Sequence, residues 1–280
     1  MHYLIFSIVC SVAVSILLKI SKKQSIEIDQ AVAINYPTAA ICAFILFQPN
    51  TQHYLHTLAA EWHILLPLAI LLPTVFIIMG ASVRQAGIAK SDAAQRLSLF
   101  LPIVAAFLIF DETLRIGKII AVVLAFIALL ALVYKPAQET QSRGAMWALC
   151  GVWLGYGVID ILFKQLSKNA AMTVHLFALF IAAGLFMLAY LTIRKTHWTK
   201  ASVIGGMILG CLNFANIYFY LRAHQTYHNN PTLVFAAMNL GVITFGTLIG
   251  MLIFKEKINK INMIGIALAM LAMVCLFYLR

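Results

Sequence analysis

Asp160 is the residue best suited to chemistry, because it is an acid well inside an apolar stretch of the sequence. A carboxylate in such a segment is costly and typically serves as a proton relay, a cation site or a counter-ion. Lys164 follows four residues later, and Trp153 and Tyr156 precede it at helical spacing, so all four share one helix face. This stripe predicts substrate contact. A structural Asp160–Lys164 pair, with the lysine reaching towards headgroups, fits the same spacing equally well.

Arg96 is a second candidate, at the start of another apolar stretch. Its guanidinium fork could grip the carboxylate of an anionic or zwitterionic substrate. Asp92 lies one helical turn earlier, so a plain ion pair between the two residues is the competing interpretation.

Uncharged polar residues form two further candidate faces. Asn213, Asn216 and Tyr220 share one side of a helix, where they could orient a ligand or bond a neighbouring helix. Ser15 and Lys19 share a face of the first apolar stretch. This face matches the stripe that contains Asp160 and Lys164, but it carries no acid. All five are predicted to contact substrate.

Several chemistries are not indicated. The sequence contains no G-x-x-x-x-G-K-[ST], H-E-x-x-H or G-x-S-x-G motif, so neither ATP hydrolysis nor a membrane-embedded enzyme is predicted. The pairs His53/His56 and His224/His228 have metal-compatible spacing but no nearby third ligand, and are interpreted as loop histidines. None of the five cysteines forms a C-x-x-C pair. No metal and no cofactor is expected.

The composition predicts an all-α integral membrane protein. Of the 280 residues, 63% are hydrophobic and only 10% are charged, whereas soluble domains are about half apolar and a quarter charged. The net charge of +11 comes from basic residues at the ends of apolar runs, as at 22–23 and 194–195. Phosphate headgroups therefore explain it better than nucleic acid does, and the lipid bilayer is the expected partner.

A spanning helix needs about 20 mainly apolar residues, so the chain has room for ten. The backbone must satisfy its own hydrogen bonds in hydrocarbon, which makes the segments helices. The ten predicted transmembrane helices are 2–20, 29–48, 63–84, 91–110, 116–134, 144–164, 171–193, 200–222, 230–254 and 258–279.

Two short motifs recur in the same order. ILLK at 16–19 matches ILFK at 161–164, a shift of 164 − 19 = 145 residues, and IFDE at 109–112 matches IFKE at 253–256, a shift of 256 − 112 = 144. Glu112 and Glu256, which end the second motif, would stand before the last helix of each copy, where a helix N-terminus favours negative charge.

The offset predicts two five-helix repeats, 1–135 and 144–280, joined by a linker at 136–143. An odd number of spans per repeat inverts the second copy relative to the first, as in many secondary transporters.

The repeat ends resemble those of EamA-type transporters of the drug/metabolite transporter (DMT) superfamily. LSLFLP at 97–102, FDETL at 110–114 and the apolar run 119–133 carry the resemblance. The second copy differs in having Gly241 and Gly246 where a mid-helix proline is usual. The resemblance implies a secondary carrier with a midplane cavity lined by helices 1, 3, 4, 6, 8 and 9.

The expected function is therefore alternating-access transport of a small metabolite, such as an amino acid, across the bacterial plasma membrane. A lipid-linked substrate flippase or an accessory membrane subunit of the same fold is the alternative. Proton coupling through Asp160 and facilitated exchange are both open, as are monomer and homodimer. The Lys and Arg distribution places both termini outside the cell, whereas the resemblance implies that both are cytoplasmic.

Overall fold

The computed structural model describes residues 1–21, 26–48, 61–86, 88–113, 115–133, 143–168, 171–254 and 260–278. All regular secondary structure in these ranges is helical, as the composition predicts. The helices are α1 (His2–Ser21), α2 (Ile28–Phe47), α3 (Trp62–Ala86), α4 (Ile88–Leu97), α5 (Phe100–Leu108), α6 (Ile116–Val133), α7 (Arg143–Ser167), α8 (Met172–Ile193), α9 (Lys200–Thr226), α10 (Pro231–Phe254) and α11 (Lys260–Tyr278).

Seven helical stretches in the described part of the chain are long and apolar enough to cross a membrane. They are Ile28–Phe47, Trp62–Ala86, Lys90–Leu108, Arg143–Ser167, Met172–Ile193, Lys200–Thr226 and Pro231–Leu252. The remaining three predicted segments coincide with helices whose apolar stretches are shorter, His2–Leu18, Ile116–Ala131 and Met263–Tyr278.

Large apolar side chains are exposed along these helices. Ile45, Trp147 and Leu185 are 68%, 78% and 64% exposed. Apolar surface is unfavourable in water at about 25 cal/mol per Å², so an apolar exterior of this kind needs a lipid-like surrounding. The fold is that of a membrane-embedded helical protein.

The predicted fourth segment, 91–110, is interrupted, with a turn at Ser98 and Leu99 separating α4 from α5. Pro102 has no N–H to donate to the Ser98 carbonyl. That carbonyl accepts instead from the Leu101 N–H over 3.0 Å, which leaves the Leu97 carbonyl without its usual helical donor.

The chain divides into two compact units, each drawing on both halves of the sequence. The first unit comprises residues 1–77 and 162–225, and the second comprises 78–161 and 226–280. This division does not follow the two predicted repeats, and it does not test them, because repeats are defined by internal symmetry rather than by compactness. Residues 134–142, which include most of the predicted linker, lie outside the described ranges.

Small residues set the helix packing within each unit. In the first unit α2 packs along α8, where a Cβ on Gly184 would lie 3.3 Å from Tyr36 Cβ. In the second unit α6 packs along α11, and buried alanines such as Ala125 and Ala269 line both helices. Side chains this small let helix backbones approach closely in a membrane.

Candidate functional site

The second unit assembles candidate residues from α4 and α7. Arg96 is 14% exposed, and its Nε lies 3.5 Å from Oδ1 of Asp92, whose side chain is half exposed. The predicted ion pair between these residues is therefore confirmed. Because the Asp92 carboxylate is half exposed, the Arg96 guanidinium could release it and bind the carboxylate of a ligand instead.

Tyr156 extends this cluster on α7. Its hydroxyl lies within electrostatic range of Arg96, Asp92 and Asp160. The helical spacing predicted that Tyr156 and Asp160 share a face. The interaction of Tyr156 with Arg96 and Asp92 of α4, which adds a guanidinium and a second carboxylate, is visible only in the structure. We call these four residues, Asp92, Arg96, Tyr156 and Asp160, the charged cluster.

Trp153 fixes the position of α7 beside the turn between α4 and α5. Its indole Nε1–H donates to the Leu97 carbonyl over 3.0 Å. This is the carbonyl that the Ser98–Leu99 turn leaves without a helical donor, so the tryptophan satisfies a polar group that would otherwise be costly in a membrane. Trp153 thus joins the two helices that carry the charged cluster.

Lys164 belongs to the first unit. Its side chain is 1% exposed, and its Nζ lies 3.4 Å from the His224 carbonyl of α9. Tyr220 is also buried and packs edge-on to Phe163, with ring centroids 6.5 Å apart, and to His224, at 4.7 Å.

The other candidates in the first unit do not gather around Lys164 in the same way. Asn216 accepts from the Ser7 hydroxyl, through Oδ1 at 2.9 Å and through its carbonyl at 3.0 Å, which joins α9 to α1. Asn213 is half-buried on the same helix. Ser15 is exposed and donates to the Ser11 carbonyl of its own helix. Lys19 lies near the end of α1, and its side chain is outside the described part of the structure.

His224 was wrongly interpreted as a loop residue. It is fully buried within α9, which extends to Thr226 rather than ending near residue 222. The spacing of Asn213, Asn216 and Tyr220 contained the signal, because a fourth member of that face falls at position 224. The predicted segment ended at Arg222, whose charge hid the continuation of the helix to Thr226.

Glu112 takes a position that the sequence did not indicate. Its side chain is fully buried, and Oε1 lies 2.8 Å from Lys118 Nζ. Oε2 accepts from the backbone N–H and the hydroxyl of Thr232, at 2.9 and 2.6 Å. Glu112 was expected to favour the N-terminus of α6, which follows it in sequence, but it caps α10 instead. Glu256, its expected counterpart, lies outside the described residues.

Three glycines belong to G-x-x-x-G pairs, a spacing that predicts close helix packing: Gly206 and Gly210 of α9, and Gly246 of α10. A Cβ on Gly206 would lie 2.7 Å from the Ala31 carbonyl oxygen, and one on Gly210 would lie 2.7 Å from that of Asn35. Close packing is confirmed for these two glycines. It is wrong for Gly246, where a Cβ would meet no described atom within 4 Å.

The described residues contain no group of three or more His, Cys, Asp or Glu side chains that could hold a metal ion. Fold and candidate site together define an all-α, membrane-embedded protein with a charged cluster on α4 and α7, within two of its apolar helical stretches, Lys90–Leu108 and Arg143–Ser167.

The chain is 53% identical over 287 aligned positions to an uncharacterized protein of Haemophilus influenzae, covering 100% of this chain and 98% of that protein. It belongs to the same family as that protein. No family model matches the chain. The crystal structure of another protein superposes on this chain with a TM-score of 0.76. The match covers 100% of this chain and 99% of the other, at 12% sequence identity. This likeness shows a shared fold alone.

Proposed function

We propose that the protein is a secondary carrier that moves a small zwitterionic metabolite, such as an amino acid, across the bacterial plasma membrane by alternating access. It acts without a metal, a cofactor or an enzymatic step. In this proposal ten transmembrane helices form two inverted five-helix repeats, and the resemblance to EamA-type DMT transporters reflects common ancestry.

The charged cluster is the observation that carries the proposal. It brings one guanidinium and two carboxylates within electrostatic range of a phenol, on two helical stretches, Lys90–Leu108 and Arg143–Ser167, that are long and apolar enough to cross a membrane. Charged groups within such stretches are expensive and are typically found where a substrate or ion passes. A guanidinium suits an α-carboxylate, and a carboxylate suits an α-ammonium, so the cluster fits a zwitterion better than a neutral sugar.

The inverted repeat is supported by the paired sequence motifs. ILLK and ILFK, and IFDE and IFKE, recur in the same order at offsets of 145 and 144 residues. Paired motifs at a nearly constant offset are what a duplicated five-helix element would produce.

Ligand-dependent thermal unfolding of the detergent-purified protein tests the function. A ligand that binds only the folded state raises its stability, by about 2.7 kcal/mol at a hundred times Kd. Amino acids are expected to raise the midpoint, and analogues lacking either the carboxylate or the amine are expected to raise it less. Nucleosides, sugars, organic acids and organic cations complete the panel.

Arg96→Gln should abolish the rise, while Arg143→Gln, at the exposed start of α7, should keep it. A dose-dependent rise that survives Arg96→Gln would remove the charged cluster from the site. No rise with any soluble compound would favour a lipid-linked substrate or an accessory role over a metabolite carrier.

A further inference from the structure

Helices α2 and α9 approach so closely that their backbones touch. Neither Gly206 nor Gly210 has room for a Cβ, because carbonyl oxygens of α2 lie 2.7 Å from where each would stand. Cys211 directly follows Gly210 in α9 and faces Cys42 of α2, with the two sulfur atoms 3.7 Å apart. The glycines therefore set the distance between two thiols that lie 169 residues apart in sequence.

The two thiols lie on the apolar exterior of the first unit. Cys211 is exposed, and Cys42 is half-buried. Neighbouring side chains on the same helices, Ile45 of α2 and Met207 of α9, are 68% and 52% exposed. In a membrane-spanning helix pair this surface faces lipid, so compounds dissolved in the bilayer reach Cys211 first.

We propose that Cys42 and Cys211 form an oxidation site that closes to an intramolecular disulfide, with a bilayer-dissolved organic hydroperoxide as the oxidant. The Cys211 sulfur attacks the outer peroxide oxygen and the O–O bond breaks. The thiol proton passes to the departing alkoxide, which leaves as the alcohol, and Cys211 becomes a sulfenic acid. The Cys42 sulfur then attacks the sulfenic sulfur and expels water. Two thiols are oxidised by two electrons, and the hydroperoxide is reduced by two.

The geometry favours the second step. A disulfide bond is about 2.05 Å long, so the sulfurs need to approach by about 1.7 Å, a distance within reach of side-chain rotation. A partner already in contact acts at a high effective concentration, which promotes closure over further oxidation of Cys211. The disulfide would link two distant parts of the chain and stabilise the first unit by restricting its unfolded state.

Thiol counting in proteoliposomes tests the site without requiring a known substrate. The protein is treated with cumene hydroperoxide, quenched, denatured in detergent and labelled with a maleimide polymer that adds mass at each free thiol. The untreated chain carries five cysteines, and treatment should leave 5 − 2 = 3 labelled. Reduction should restore all five, and the oxidised protein should unfold at a higher temperature than the reduced one.

Cys150→Ser is the matched control, because it removes an exposed thiol from α7 and should still lose two labels on oxidation. Neither Cys42→Ser nor Cys211→Ser should lose two labels. Cys42→Ser should lose at most one, because its Cys211 sulfenic acid has no Cys42 thiol with which to close. Five labels remaining in the treated wild-type protein would overturn the proposal. So would a two-label loss that persists in Cys42→Ser, a disulfide-linked dimer on a non-reducing gel, or a trapped Cys211 sulfenic acid that never closes.

Discussion

The Glu112 carboxylate caps α10 by accepting two hydrogen bonds from Thr232, although 120 residues separate the two in sequence. Pro231 occupies the first position of this helix, so the Thr232 N–H is the first backbone donor that needs a partner. Lys118 balances the charge at 2.8 Å and also donates to Asn230 Oδ1 over 3.3 Å. A buried carboxylate is tolerable only with this much compensation.

Glu112→Gln should destabilise the protein strongly. Its amide oxygen can still accept from Thr232, but the Lys118 ammonium is left buried without its counter-charge, a change that typically costs about 3–5 kcal/mol. Equilibrium unfolding in mixed micelles measures the loss. Glu112→Gln combined with Lys118→Met should recover most of it, because no uncompensated charge remains. Equal stability of the single variant and the wild type would show that the ion pair contributes little.

Gly206→Ala should destabilise the first unit, because the new methyl group would meet backbone and Ile34 Cβ at 2.7 Å. Overpacking of this kind costs about 1–3 kcal/mol. Gly246→Ala is the matched control on α10, where the methyl group has open space and alanine favours helix by about 1 kcal/mol. Thermal midpoints should therefore shift in opposite directions, and a shared direction would contradict the close approach of α2 and α9.

Trp153→Phe should cost about 1–3 kcal/mol of folding stability. The ring volume is largely kept, but the Leu97 carbonyl loses its donor in an apolar setting. If Trp153 also positions α7 against α4, ligand affinity should fall in the same variant. Trp147→Phe, at a 78% exposed site on the same helix, should change neither quantity. If Trp147→Phe lowered stability and affinity as much as Trp153→Phe, the effect would come from removing any indole and not from this hydrogen bond.

Asp160→Asn tests whether the carrier is coupled to protons. If Asp160 carries the coupled proton, the uptake that the amide variant retains in proteoliposomes should no longer depend on pH. Asp111→Asn is the control, since Asp111 is exposed and has φ of 52°, a conformation that asparagine tolerates. Uptake by Asp160→Asn with unchanged pH dependence would leave facilitated exchange as the mechanism.

Gln30→Leu should loosen the connection between α8 and α9. Gln30 is 2% exposed, donates to the His197 carbonyl over 2.8 Å and accepts from the Thr199 N–H over 3.0 Å. Without it, amide hydrogen exchange should rise at residues 195–200 but not in the middle of α8, because only the connection loses its bonds. Unchanged exchange there would show that other contacts hold it.

Within single helices, the sequence alone predicted which candidate side chains lie together. The Arg96–Asp92 pair and the shared face of Tyr156 and Asp160 follow from helical spacing, which depends only on residues a few positions apart. Composition likewise predicted the membrane class, since so much apolar surface has no other stable surrounding. The interruption before Pro102 was not predicted, because a proline can bend a helix or divide it and the sequence does not show which.

The contacts between helices were decided by the tertiary structure. Trp153 meets Leu97 across 56 residues, Glu112 meets Thr232 across 120, and Cys42 meets Cys211 across 169. Hydrophobic periodicity tells which face of a helix is apolar, but in lipid most faces are apolar and many partners are compatible. Which helix lies against which, and at what register, depends on where small residues allow close approach, and that is settled only when the chain packs.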